Sequence, residues 1–148
     1  MKNYTSTVPV ERTISRIEQI LSKAGAQSIA KSYKDGVVVS MSFILAIPGR
    51  GPCPIRLPAN AEAVARVLKA EVRKPQAGTL ERIDAQAART AWRIMEDWVS
   101  VQMSLIEMGQ AEPLQVFLSY IQVGRGSYYD FLKCGGFKAL PEGKKEGD

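Results

Sequence analysis

The sequence predicts an α+β fold: a helix, a three-stranded antiparallel sheet, a second helix, a long central helix and a helical C-terminal cap. Three observations carry it. Between Thr79 and Met108 the apolar residues Ile83, Ala87, Ala91, Ile94, Trp98, Val101, Leu105 and Met108 return at alternating spacings of four and three, which is the seam of one long helix. Asp35-Gly36 separates two extended runs, and a two-residue hairpin turn of that type needs positive φ at both centres. From Val37 to Ile47, Val37, Val39, Met41, Phe43, Leu45 and Ile47 alternate with Ser40 and Ser42. That is a strand with one buried face, its serine face being solvated or in polar contact.

The elements follow in order. Val10, Ile14, Ile17, Leu21 and Ala24 repeat at helical spacing after Thr7 and Pro9, with Gly25 as the stop, giving a first helix over Val10 to Ala24. Gln27 to Lys34 reads as the first strand and Val37 to Ile47 as the second. Pro48 to Pro54 holds three prolines and two glycines and is predicted to be a loop, because proline cannot donate to a ladder. Ile55 to Leu57 is then a short third strand stopped by Pro58. Asn60 caps a helix from Ala61 to about Lys74, with Ala61, Val64, Val67, Leu68 and Val72 facing inward. Thr79 caps the long helix, and Glu81 and Asp84 occupy its first turn, where the positive end of the helix dipole favours them. A second apolar row, Ala88, Trp92, Met95, Val99 and Ile106, widens its buried stripe. Gly109 and Pro113 end it. Leu114 to Val123 reads as helix, Gly124-Arg125-Gly126 as a turn, and Ser127 as the cap of a short helical piece carrying Tyr128, Tyr129, Phe131 and Leu132.

Composition narrows the function. The chain has 148 residues and a mass of 16.2 kDa, which fits one domain over residues 1–140, followed by a mobile charged tail over residues 141–148. No apolar run approaches the ~20 residues that cross a bilayer. Met1 to Thr7 carries one lysine and no apolar run behind it, so no signal peptide and a cytoplasmic location are expected. Cys53 and Cys134 are the only cysteines, and a reducing compartment leaves them as free thiols. Histidine is absent, which removes histidine-based triads and the commonest general base. Glu96 and Asp97 are adjacent and therefore splayed on a helix, while Glu81 and Asp84 serve the helix dipole. The expectation is a chain that is not an enzyme and carries no cofactor or metal. Its net charge of +5 and pI near 9.3 favour an anionic partner such as nucleic acid or a nucleotide.

Four groups of residues are candidates for contact with that partner. Arg50 stands between two glycines in the proline-rich loop, where guanidinium and backbone amides can meet phosphate. Arg66, Lys69 and Arg73 on the second helix, and Arg82, Arg89 and Arg93 on the long one, lie at spacings that put each set on one face. Trp92 and Trp98 offer rings that stack on bases, against the simpler reading of core packing. Gly124-Arg125-Gly126-Ser127-Tyr128-Tyr129 joins Arg125 and Tyr128 in one flexible, aromatic turn. For each group the competing reading is structural: solvated turns, solvated helix faces and packed rings.

The order helix, strand, strand, strand, helix from Val10 to Lys74 resembles the double-stranded RNA-binding domain. The place of that family's lysine-rich clamp reads Pro58-Ala59-Asn60-Ala61-Glu62-Ala63 here, so the resemblance is one of topology and does not carry RNA binding with it. A second resemblance rests on Ala24-Gly25-Ala26, Lys34-Asp35-Gly36, Ile55-Arg56-Leu57-Pro58, Gln86-Ala87-Ala88-Arg89-Thr90-Ala91-Trp92-Arg93, Asp97-Trp98 and Val116-Phe117-Leu118. These look like a group of small uncharacterised proteins of phages and integrated mobile elements. That resemblance implies a phage setting, in which small basic products commonly bind nucleic acid or disable a host defence.

The sequence therefore predicts a non-enzymatic phage-type protein, self-associating through its long helix, that binds nucleic acid or a nucleotide through a basic face and has no membrane partner. The competing class is an anti-defence inhibitor that binds a host nuclease or effector protein or sequesters a nucleotide immune signal.

Overall fold

A computed structural model describes residues 6–143. The element order is α1 (Val10–Lys23), β1 (Gln27–Lys34), β2 (Val37–Ile47), β3 (Gly51–Pro58), α2 (Ala61–Ala70), α3 (Thr79–Glu107), α4 (Pro113–Phe117), a 3-10 turn (Leu118–Tyr120), β4 (Gln122–Val123), β5 (Gly126–Ser127) and α5 (Tyr128–Cys134). The fold is α+β, with an antiparallel sheet in the order β1-β2-β3 and a separate two-stranded β4-β5 ribbon.

The helix and turn boundaries come from local chemistry. α1 ends in a left-handed Gly25 at φ 91°, and the Ala26 amide bonds back to the Leu21 carbonyl at 3.0 Å, closing the helix as glycine caps do. Asp35 and Gly36 have φ values of 52° and 77°, the pair of positive angles that a two-residue hairpin requires. The Asn60 side chain caps α2 by accepting from the Ala63 amide at 3.0 Å.

The core forms where α1, α3 and α4 meet one face of the sheet. Ile14, Ile17 and Leu21 of α1, Met41, Phe43, Leu45 and Ile47 of β2, Cys53, Ile55 and Leu57 of β3, Trp92, Val99 and Met103 of α3, and Phe117 of α4 make one buried cluster. α2 packs beside α3.

Several sequence expectations change, among them the cap of α3, which is Gly78 without a side-chain bond and not Thr79. Pro48 to Pro54 is not a loop throughout: the turn is only Pro48 to Arg50, and β3 runs from Gly51 to Pro58, with Gly51 to Pro54 paired to Ile47 to Ile44. Pro52, Pro54 and Pro58 fall on alternate positions, so their missing N–H groups lie along the same side of the strand, which an edge position tolerates. On β2 the predicted alternation breaks near its start. The register slips between Ser32 and Tyr33, which pair with Ser40 and Val38. This bulge places Val38, and not Val39, against the core, because one extra residue reverses the faces beyond it. Ser40 is buried and accepts a hydrogen bond from Arg56 Nε at 3.1 Å, so that serine is in polar contact and out of solvent. α2 stops at Ala70, short of Lys74, and Val67 is exposed.

On α3 both apolar rows are buried near its middle, with Ala87 and Ala91 of the first row enclosed, and only the first row opens toward the C-terminal end. Trp92 and Val99 are enclosed, whereas Val101 and Met108 of the first row are 57% and 74% exposed. In the C-terminal third, Leu114 to Val123 is only partly helical, since Gln122 and Val123 pair with Ser127 and Gly126 around Gly124-Arg125. Of the tail, Pro141 to Gly143 has no regular structure, and the predicted mobile segment from 144 onward lies outside the described residues.

Candidate functional site

A cleft of about 740 Å³ opens between the β2-β3 end of the sheet and the C-terminal ribbon. Its β2 and β3 wall is Val39, Ser40, Arg56 and Pro58; Asn60 closes one end, and Ser119, Tyr120, Gln122, Arg125, Gly126, Ser127, Tyr129 and Asp130 face them. The local structure explains each contribution. Arg56 sits between Ile55 and Leu57, which point into the core, so strand alternation sends its guanidinium outward. The β2 bulge turns Val39 to the same side. The outer edge of β3 meets the C-terminal segment through a bridge between Ile55 and Ile121, which fixes the far wall, and the tight β4-β5 turn carries Arg125.

Arg56 uses its Nε–H on Ser40, leaving its terminal nitrogens without an ion-pair partner among the described residues. Arg125 likewise makes no ion pair among them. The one carboxylate of the lining, Asp130, is engaged. Its Oδ2 accepts from the Ser127 amide at 3.0 Å, and the Asp130 amide donates back to Ser127 Oγ at 3.2 Å, a reciprocal cap on α5. The Ser127 backbone N–H, helped by its side chain and by Lys133, holds the Asp130 carboxyl below the usual carboxylate value of 3.8. Two cations, three hydroxyl-bearing serines and two tyrosines therefore share a concave surface whose only acid is turned to a structural bond.

The predicted candidates divide by location. Arg125 lines the cleft. Tyr128 does not; it stacks on Phe131 at 6.0 Å between centroids, and its neighbour Tyr129 lines the wall instead. Arg50 is exposed in the β2-β3 turn. Arg66 is exposed on α2, and Arg73 lies beyond the end of that helix, so no single helix face joins Arg66, Lys69 and Arg73. Lys69 pairs with Asp84 at 2.9 Å. Arg89 donates to the Ser6 carbonyl at 3.2 Å and to Gln86 Oε1 at 2.7 Å, tying the N-terminal segment to α3. Arg93 holds the buried Glu96 at 2.9 Å and reaches Asp97 at 3.9 Å. Trp92 is in the core, and Trp98 packs edge-on against Phe117 and Tyr120.

Sequence reasoning missed Arg56, Ser40, Ser119 and Tyr120 as site residues. The available signal was an arginine on the same strand face as the β2 serines. Among the described residues no group of His, Cys, Asp or Glu could hold a metal ion, and no helix is long and apolar enough to cross a membrane. No family model matches the chain, and neither a curated protein nor a solved structure matches it.

Proposed function

We propose that this chain is a non-enzymatic binding protein that takes a nucleotide-sized anion into the cleft between β3 and the C-terminal ribbon. The observation that carries this reading is the convergence of Arg56 and Arg125, far apart in sequence and free of ion pairs among the described residues, on one concave surface. The size supports it, since small-molecule sites commonly enclose about 300–1,000 Å³. Guanidinium groups suit phosphate oxygens, while Tyr120 and Tyr129 present rings of the kind bases stack on. A small ligand is preferred over a nucleic-acid duplex because Lys69, Arg89 and Arg93 of the helical basic faces are already bound to protein groups. Sequestration of a nucleotide signal is the role within a phage setting that this chemistry fits.

Calorimetric titration with a panel of mono-, di- and cyclic nucleotides tests the proposal. Binding should weaken at least about ten-fold in Arg56→Ala and in Arg125→Ala, each removing a charge-assisted contact, and stay unchanged in Arg66→Ala/Arg73→Ala. Loss of affinity in the Arg66/Arg73 variant with no effect of Arg56→Ala would move the function to the helical face.

A further inference from the structure

We infer that two copies of this chain associate by exchanging C-terminal arms, each arm seating on the end of α3 of the other copy. The arm shares Tyr129 and Asp130 with the cleft wall, but the inference rests on Phe131, Lys133, Phe137, Lys138 and Leu140, none of which lines the cleft, and it would survive loss of the nucleotide reading.

The arm is residues 128–140. α5 has no buried residue and packs chiefly on the adjoining 3-10 turn and β4-β5 ribbon. A helix this short is unstable without tertiary packing, yet Phe131 and Leu140 are 60% and 53% exposed, and Tyr129 and Phe137 are also open. Lys133 and Lys138 are interleaved with these rings and are exposed as well.

The receiving surface is the second half of the first apolar row of α3. Val101 and Met108 lie open, and Leu105 between them is half-covered. The last turn of α3 contains no basic residue and carries the exposed Glu107. The carbonyl end of a long helix bears partial negative charge, which a cation normally offsets. Here that end has an acid in its place.

An apolar surface studded with lysines and an apolar surface ending in uncompensated negative charge are complementary. Both stay open in the same chain, so one copy does not satisfy itself. Reciprocal seating by a two-fold axis uses both surfaces twice and closes the assembly at a dimer.

Sedimentation equilibrium on the full chain reads the outcome. The wild-type chain should sediment at twice its monomer mass. Lys133→Glu/Lys138→Glu and, separately, Glu107→Lys should each weaken self-association by about ten-fold or more, because each places like charges face to face. Circular dichroism should show both folded, all three positions being exposed. Mixed together, the two variants should recover the dimer, since each arm then meets a surface of opposite charge. A monomeric wild-type chain at high micromolar concentration overturns the inference. So does a dimer that Glu107→Lys weakens and Lys133→Glu/Lys138→Glu leaves intact, which would place α3 against α3.

Discussion

The indole Nε1 of Trp92 donates to the backbone carbonyl of Val38 at 3.2 Å, joining the middle of α3 to the start of β2. Trp92 is almost wholly enclosed, so its removal costs both packing and a buried hydrogen bond. Trp92→Phe is expected to destabilise the fold by about 2–3 kcal/mol and Trp92→Ala by about 3–5 kcal/mol. Urea unfolding followed by the remaining Trp98 fluorescence measures both.

Arg93 and Glu96 form a second fixed pair, with Glu96 nearly buried and also 4.0 Å from Arg16. Arg93→Ala leaves that carboxylate only its longer contact with Arg16, and a loss of about 1–2 kcal/mol is expected, discounted from the fully buried case because Arg93 and Arg16 are partly exposed. Arg93→Met/Glu96→Leu should recover most of it. Thermal unfolding of the single and double variants decides, and a double variant no better than Arg93→Ala would show that the Glu96 carboxylate is needed for its contact with Arg16 of α1.

The cap at α5 has a pH signature. The Asp130 carboxyl titrates below its ordinary value in the folded chain because it accepts from Ser127, so its stabilising contribution is present at neutral pH. It disappears as pH falls through the lowered value. The Ser127 amide resonance should therefore shift with a midpoint below 3.8, and Asp130→Asn should abolish that titration.

Gly36 adopts φ 77° with open space where a side chain would sit. Gly36→Ala meets backbone strain alone, and a loss of about 1 kcal/mol is expected from chemical denaturation. A larger loss would indicate a shift in strand register.

The parts of this fold legible in the sequence are those governed by neighbours a few residues away. The Asp35-Gly36 turn, the Asn60 cap and the length of α3 follow from local rules, and Trp92 announces itself as core by its place in an apolar row. Position in the sheet is another matter. The prolines of β3 read as a loop because nothing local shows that the strand lies at an edge. The bulge that turns Val39 outward depends on pairing with Ser32 and Tyr33 across the hairpin. The cleft was illegible for the same reason: Arg56 and Arg125 become neighbours only when Ile121 meets Ile55. Charge counting found the helical basic residues but could not see that Lys69 and Arg93 have carboxylate partners.

The alternate prolines of β3 bear on how copies of this chain can meet. An exposed strand edge is a template on which another molecule can extend the sheet, and open edges invite fibril growth. Positions 52, 54 and 58 offer no amide hydrogen for that purpose, and Ile121 already occupies part of the same border. Growth through β3 is thereby blocked, which leaves the β1 border as the side of this sheet where another strand could still pair.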